Sequence, residues 1–139
     1  MKILVTGSAG FIGFHLTKKL LEKGNFVHGF DSMNNYYDIS LKKARHNILK
    51  RYKNFSFTKS KLENKNNLEI TFNKFKPNVV IHLAAQAGVR YSIDKPRVYL
   101  DSNITGTFNI IECSHKHKVK HLIMASSSAV YGANKKIPF

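Results

Sequence analysis

Three glycines near the amino terminus restrict the fold of this sequence more than any other feature. Gly7, Gly10 and Gly13 follow a short apolar run, and a helical pattern begins directly after them. Glycines at this spacing permit a sharp turn, a close approach of the backbone to a pyrophosphate, and tight packing of the helix on the strand. The helix would also offer unpaired N–H groups and its positive dipole end to phosphates. The pattern predicts a dinucleotide-binding loop made of Gly7, Ser8, Ala9, Gly10, Phe11, Ile12 and Gly13.

An acidic residue at the end of the next predicted strand supports this interpretation. Asp31 follows the apolar segment 26–30, at the distance from the glycines expected of a carboxylate that binds the adenosine ribose hydroxyls. Its charge favours NAD over NADP, because it would repel the additional phosphate and residues 32–34 include no arginine. We therefore expect Asp31 and Ser32 in the cofactor site. The alternative is a structural loop that an aspartate caps.

Apolar strand patterns alternate with helical patterns along the whole chain. This alternation is typical of an α/β, Rossmann-type, doubly wound parallel sheet, and we expect about five strands in one domain that covers residues 1–139. The predicted strands are 2–6, 26–30, 55–58, 79–83 and 119–125, and the predicted helices are 10–23, 40–52, 66–75 and 96–115. Residues 84–91 read as a loop rich in small side chains.

The composition is strongly basic, with a formal net charge of +15. A basic patch can bind nucleic acid or an anionic membrane, but lysines greatly outnumber arginines and no nucleic-acid-binding motif occurs. We interpret the charge as solvated helix faces, including that of Lys42 and its neighbours, and expect no nucleic-acid or membrane partner. The single cysteine, Cys113, excludes an internal disulfide, and we expect a cytoplasmic protein. We expect no metal site, and His82 reads as a packed core histidine.

Several segments resemble a known family. The segments TGSAGFIG (6–13), HLAAQA (82–87) and SSSAVYG (126–132) resemble the extended short-chain dehydrogenase/reductases that modify nucleotide sugars. Within that group, DSMNNYYD (31–38) and AAQAGVRYS (84–92) are most similar to bacterial UDP-glucuronate 4-epimerases. The resemblance covers the whole chain.

The resemblance implies NAD as cofactor and a UDP-sugar as substrate. Hydride would leave C4 of the sugar for the nicotinamide, and its return to the other face would convert UDP-glucuronate to UDP-galacturonate through a 4-keto intermediate. Ser127 would be catalytic and hydrogen-bond the 4-hydroxyl. Further cofactor contacts would come from Leu62, Leu83, Ala84, Ala85, Gln86, Asn103 and Ser126. Substrate contacts would come from Ala87, Arg90 and Ser128. The full-length form would be a homodimer.

Two departures from the family pattern stand out. Lys61 occupies the position of an aspartate that contacts the adenine amine in the family, and a lysine cannot accept that bond. The family's Tyr-x-x-x-Lys pair should follow the Val-Tyr-Gly strand, but the sequence ends first, so we expect the C-terminal strands and the substrate subdomain to be missing. The fifth strand should then lie at a sheet edge. Tyr91 and Lys95 have the same spacing, but they fall in the predicted loop before Pro96.

Other functions remain open on the sequence alone. The chain could belong to another NAD-dependent sugar epimerase or to a 4,6-dehydratase, although the Asp-Glu pair typical of dehydratases is replaced by Ser128 and Ala129. It could also be a catalytically inactive NAD-binding protein made from a truncated gene.

Overall fold

A five-stranded parallel sheet forms the centre of the molecule. The computed structural model describes residues 1–138, and the strand order is β3-β2-β1-β4-β5. All four neighbouring strand pairs are parallel. The strands are β1 (Lys2–Thr6), β2 (Phe26–Asp31), β3 (Phe55–Lys59), β4 (Val79–His82) and β5 (His121–Met124). This arrangement confirms the predicted Rossmann-type sheet, and β5 lies at one edge of the strands that are described.

Helices connect the strands. They are α1 (Phe11–Glu22), α2 (Ile39–Leu49), α3 (Lys65–Phe75), α4 (Val89–Asp94), α5 (Pro96–Tyr99) and α6 (Gly106–Lys116). A π-helical turn, Leu100–Thr105, joins α5 to α6, and a 3₁₀ turn, Ser128–Tyr131, follows β5. In the described residues, no helix combines the length and the apolar character that crossing a membrane requires.

The apolar core consists of two clusters on opposite faces of the sheet. Successive strand residues point to opposite faces, so Leu4 joins one cluster while its neighbours Ile3 and Val5 join the other. The first cluster contains residues of α3 and α6, such as Phe72 and Ile110. The second contains residues of α1 and α2. Burial on both faces explains why the strands read as continuous apolar runs in the sequence.

The region after β4 differs from the expected loop and single long helix. Residues 89–94 form the helix α4, and the predicted helix 96–115 is divided into α5, the π-helical turn and α6. The helices α4 and α5 span only six and four residues and bury none of them, so they are too short for a helical period to be read from the sequence. Tyr91 therefore lies in a helix, and the loop argument against the Tyr91–Lys95 pair is wrong. The helix nevertheless ends before Lys95, whose φ is −135°.

Candidate nucleotide-binding site

A cavity of about 340 Å³ opens at the carboxyl ends of the central strands. It lies beside β1, from which the chain first builds β2 and β3 on one side and then β4 and β5 on the other. In open α/β sheets, this reversal of strand order is where ligands bind. The sequence-predicted residues that line the cavity are Gly7, Gly10, Asp31, Ser32, Leu62, Leu83, Ala84, Ala85 and Gln86.

The glycine loop joins β1 to α1 through close backbone contacts. Gly7 has a φ of +73°, which favours glycine, and its N–H donates to the carbonyl oxygen of Phe30 over 2.7 Å. A Cβ added to Gly13 would lie 2.7 Å from the carbonyl carbon of Gly7 and closer still to its oxygen. Gly10 is the N-cap of α1, and no side chain caps this helix. The helix N-terminus can therefore receive an anion at the cavity wall.

Asp31 is buried and connects the glycine loop to the loop after β2. Its Oδ2 accepts a hydrogen bond from the N–H of Ala9 over 3.1 Å, and its Oδ1 accepts one from the N–H of Met33 over 2.8 Å. Lys42 lies with its Nζ 3.8 Å from Asp31 Oδ1 and donates to the side-chain oxygen of Asn34 over 2.9 Å. The carboxylate is thus fixed at the cavity, where it can accept hydrogen bonds from a ribose.

Lys42 corrects the interpretation of the basic segment as a solvated face. Its side chain is buried and lines the cavity, whereas Lys43, the next residue along α2, is exposed. The charge of Asp31 compensates that of Lys42, which makes burial of the pair tolerable. The sequence alone does not show that Lys42 faces Asp31, because this depends on how α2 packs on the sheet.

Two side chains hold the segment that follows β4. Thr6 Oγ1 accepts hydrogen bonds from the N–H groups of Leu83 and Ala84, each over 3.1 Å. Asn103 accepts from the N–H of Gln86 over 2.7 Å and donates to its carbonyl oxygen over 2.9 Å. Asn103 lies in the π-helical turn and does not itself line the cavity. Segments of π-helix are frequent at functional sites. These contacts position the small residues Ala84 and Ala85 at the cavity wall.

Tyrosines that the sequence analysis did not assign to the site form one side of the cavity. Tyr36, Tyr37 and Tyr91 line it, and the ring centroids of Tyr36 and Tyr91 are 4.8 Å apart. Tyr99 donates to the carbonyl oxygen of Ala87 over 2.7 Å and also contacts that of Gly88. Loss of hydration raises the pKa of Tyr99. The signal in the sequence that could have indicated these residues is the presence of four tyrosines in segments 36–37 and 91–99.

The remaining predicted site residues lie outside the cavity lining. Ser8 and Ala9 are buried within the glycine loop, Gly13 is buried in the first turn of α1, and Phe11 and Ile12 are exposed there. The exposed residues also include Ala87, Arg90, Ser126, Ser127 and Ser128. Ser127 is the N-cap of the 3₁₀ turn, where its Oγ accepts from the N–H of Ala129 over 3.3 Å. The roles assigned to these residues stay predictions.

The cavity wall at residues 60–63 contains two opposite charges. Lys61 and Glu63 both line the cavity, and their side chains form an ion pair of 3.5 Å. The carboxylate of Glu63 supplies an acceptor beside the position where Lys61 cannot accept a bond. Within residues 1–138, no group of three or more histidine, cysteine or acidic side chains could hold a metal ion.

Comparison with known proteins gives a consistent result. The family model described as GDP-mannose 4,6 dehydratase matches residues 4–139. Protein CapI from Staphylococcus aureus is 56% identical over 139 residues, which are 100% of this chain and 41% of that protein. A probable UDP-glucuronate 4-epimerase from Rhizobium meliloti is 50% identical over the same length and with the same coverage. The chain thus spans about 41% of the length of these relatives.

Solved structures share the fold. A mutant UDP-glucuronic acid 4-epimerase from Bacillus cereus, in complex with NAD and a fluorinated UDP-glucuronic acid, aligns with a TM-score of 0.86 and 34% identity. The alignment covers 98% of this chain and 43% of that one. The UDP-glucose 4-epimerase from Thermus thermophilus, in complex with NAD, aligns with a TM-score of 0.78 and 33% identity, covering 91% of this chain and 38% of that one.

Proposed function

Since the chain belongs to the GDP-mannose 4,6 dehydratase family, we propose that it is the NAD-binding part of a nucleotide-sugar 4-epimerase. The proposed reaction interconverts UDP-glucuronate and UDP-galacturonate through a 4-keto intermediate. One observation carries the proposal: the glycine loop, the buried carboxylate of Asp31 and the small residues after β4 surround a single cavity at the reversal of strand order. The relatives named as UDP-glucuronate 4-epimerases support the choice of sugar.

The residues around the cavity fit a dinucleotide. The pyrophosphate would meet the N-terminus of α1 at Gly10, where a larger residue would crowd the loop, because a Cβ there would lie 3.1 Å from the oxygen of Gly7. Asp31 would bind the adenosine ribose, and Ala84 and Ala85 would leave room for the nicotinamide half. When bound, NAD supplies a reversible hydride acceptor for C4 of the sugar.

Ser127 is the proposed hydrogen-bonding partner of the sugar 4-hydroxyl. Its position after β5 places it at the same edge of the sheet as the cavity, because the carboxyl ends of parallel strands meet there. A serine hydroxyl can both accept and donate a hydrogen bond, so Ser127 can bind the sugar both as the 4-hydroxyl and as the 4-ketone.

A 4,6-dehydratase is the second candidate, and the description of the matching family favours it. Residues Ser128 and Ala129, in place of an acidic pair, oppose it. The two activities give different products from a UDP-sugar, since a dehydratase releases water and leaves a keto sugar, whereas an epimerase returns a sugar of unchanged composition.

We also infer that the full-length protein is a homodimer, that it is located in the cytoplasm and that it has no nucleic-acid partner. Support for the dimer comes from apolar side chains that are exposed along one face of the π-helical turn and α6, at Leu100, Ile104 and Phe108. Sedimentation of the full-length protein tests it, and a monomer at micromolar concentration would contradict it.

The activity is tested by joining this chain to a carboxyl-terminal part that carries the Tyr-x-x-x-Lys helix. That protein should convert UDP-glucuronate to UDP-galacturonate, as measured by anion-exchange separation of the two products. Ser127→Ala should slow turnover with little change in NAD affinity, while the control Ser40→Ala, at an exposed position in α2, should leave both unchanged. A dehydrated keto sugar as the product would favour the second candidate. The 139-residue chain by itself should bind NAD without turnover.

A further inference from the structure

A buried histidine connects the two strands that border the cavity. His82 is the last residue of β4 and is 6% exposed. Its Nδ1 lies 2.7 Å from Oγ1 of Thr6, the last residue of β1. Its Nε2 lies 3.0 Å from Oγ1 of Thr107, near the start of α6. His82 therefore links β1 and β4 to the helix that packs behind them.

The hydrogen-bond pattern determines where the protons are. Thr6 Oγ1 already accepts from the N–H groups of Leu83 and Ala84, which occupy both of its lone pairs. Its own proton must therefore go to Nδ1 of His82, which acts as the acceptor. The ring proton is then on Nε2, which donates to Thr107. This arrangement requires a neutral imidazole, and burial supports it by lowering the pKa of His82 to about 4.

The same contacts determine the shape of the cavity. Leu83 and Ala84 line it, and Ala84 packs against Gly7 so closely that a Cβ on Gly7 would lie 3.0 Å from the Ala84 nitrogen. The Thr6 hydroxyl can receive both N–H groups only while its hydrogen points away from them. His82 supplies the acceptor that keeps the hydrogen in that direction.

We propose that His82 is a positioning residue for cofactor binding: it orients the Thr6 hydroxyl, which holds Leu83 and Ala84 against the glycine loop. The inference rests on the proposed NAD site, and it adds a residue that lies outside the cavity lining. Because His82 acts through Thr6, its removal should affect the cavity more than a comparable change elsewhere in the core.

A matched pair of substitutions tests the proposal in the 139-residue chain. His28 is half-buried, hydrogen-bonds with both ring nitrogens to the hydroxyls of Ser56 and Thr58, and has a pKa lowered to about 4 by burial. It does not line the cavity. His82→Phe should raise the Kd for NAD about tenfold, the effect of about one lost hydrogen bond, and His28→Phe should leave it unchanged. His82→Asn, whose side-chain oxygen can replace Nδ1, should restore most of the affinity.

A second measurement is independent of NAD. In ligand-free protein at neutral pH, long-range ¹H–¹⁵N spectra should show His82 protonated at Nε2 and unprotonated at Nδ1. Amide exchange at Leu83 and Ala84 should accelerate in His82→Phe and stay slow in His28→Phe. A proton on Nδ1, or equal exchange in the two variants, would overturn the proposal. If the wild-type chain binds no NAD while these spectra hold, the proposed function fails and the positioning of Leu83 and Ala84 stands.

Discussion

Asp31→Asn separates the structural role of this carboxylate from its proposed role in binding ribose. Each carboxylate oxygen of Asp31 accepts one backbone N–H, from Ala9 and from Met33. An asparagine keeps the shape but has one oxygen and one amino group. In either orientation, the amino group faces a backbone N–H, so one hydrogen bond is lost and two donors confront each other. Lys42, 3.8 Å away, also loses its compensating charge.

The expected magnitude follows from these contacts. A hydrogen bond to a charged group is worth about 1.5–3 kcal/mol, and an unsatisfied buried donor costs about 1–3 kcal/mol. We therefore expect the free energy of unfolding to fall by about 2–4 kcal/mol. The ribose hydroxyls would lose a charged acceptor as well, so the Kd for NAD should rise by about 10–100-fold, where each factor of ten corresponds to about 1.4 kcal/mol.

The assay combines urea unfolding with calorimetric titration of NAD. Asp38→Asn is the matched control, because Asp38 accepts the N–H of Ser40 over 2.7 Å as the N-cap of α2, and asparagine caps a helix equally well. The control should change neither quantity. Reduced stability of Asp31→Asn with wild-type NAD affinity, measured where both proteins are folded, would show that Asp31 is only structural and would refute the reasoning.

Two further predictions concern stability. In urea unfolding, Gly13→Ala should lower the free energy of unfolding by about 3 kcal/mol or more, because its Cβ would overlap the backbone of Gly7. Gly24→Ala should lower it by only about 1–2 kcal/mol, because Gly24 has a φ of +77° but no atom within 4 Å of the added Cβ. Equal losses in the two variants would contradict the close packing at Gly13. Burial lowers the pKa of His28 and His82 from 6.5 to about 4, so the unfolded chain binds protons first as the pH falls. As the pH falls from 6.5 towards 4, these histidines should therefore lower the stability by up to about 3 kcal/mol each, and a flat profile over this range would contradict the burial.

Local sequence patterns predicted that Asp31 lies beside the glycine loop, as the structure shows. The strand, the glycine loop, the helix and Asp31 are encoded by neighbouring residues, and their order in the sequence is enough to place them together. The alternation of strands and helices likewise predicted a doubly wound parallel sheet, and the structure confirms it.

The remaining features depend on contacts between distant residues. Lys42 reads as one of many lysines, and only the packing of α2 brings it to Asp31. The bond between Thr6 and His82 joins residues 76 positions apart, and it requires the register in which these two residues are paired. The helix α4 has only six residues and buries none of them, so it is too short to be recognised from a periodic pattern. Sequence patterns carry no information on such features unless the tertiary structure is known.

The central claim is that the cavity at the carboxyl ends of β1, β2 and β4 binds NAD. Titration of the ¹⁵N-labelled 139-residue chain with NAD, followed by amide chemical shifts, tests it most directly. We predict saturable shifts that are concentrated in residues 7–13, at Asp31 and in residues 83–86. A well-dispersed spectrum that stays unchanged at millimolar NAD, or saturable shifts that lie elsewhere on the molecule, would contradict the account.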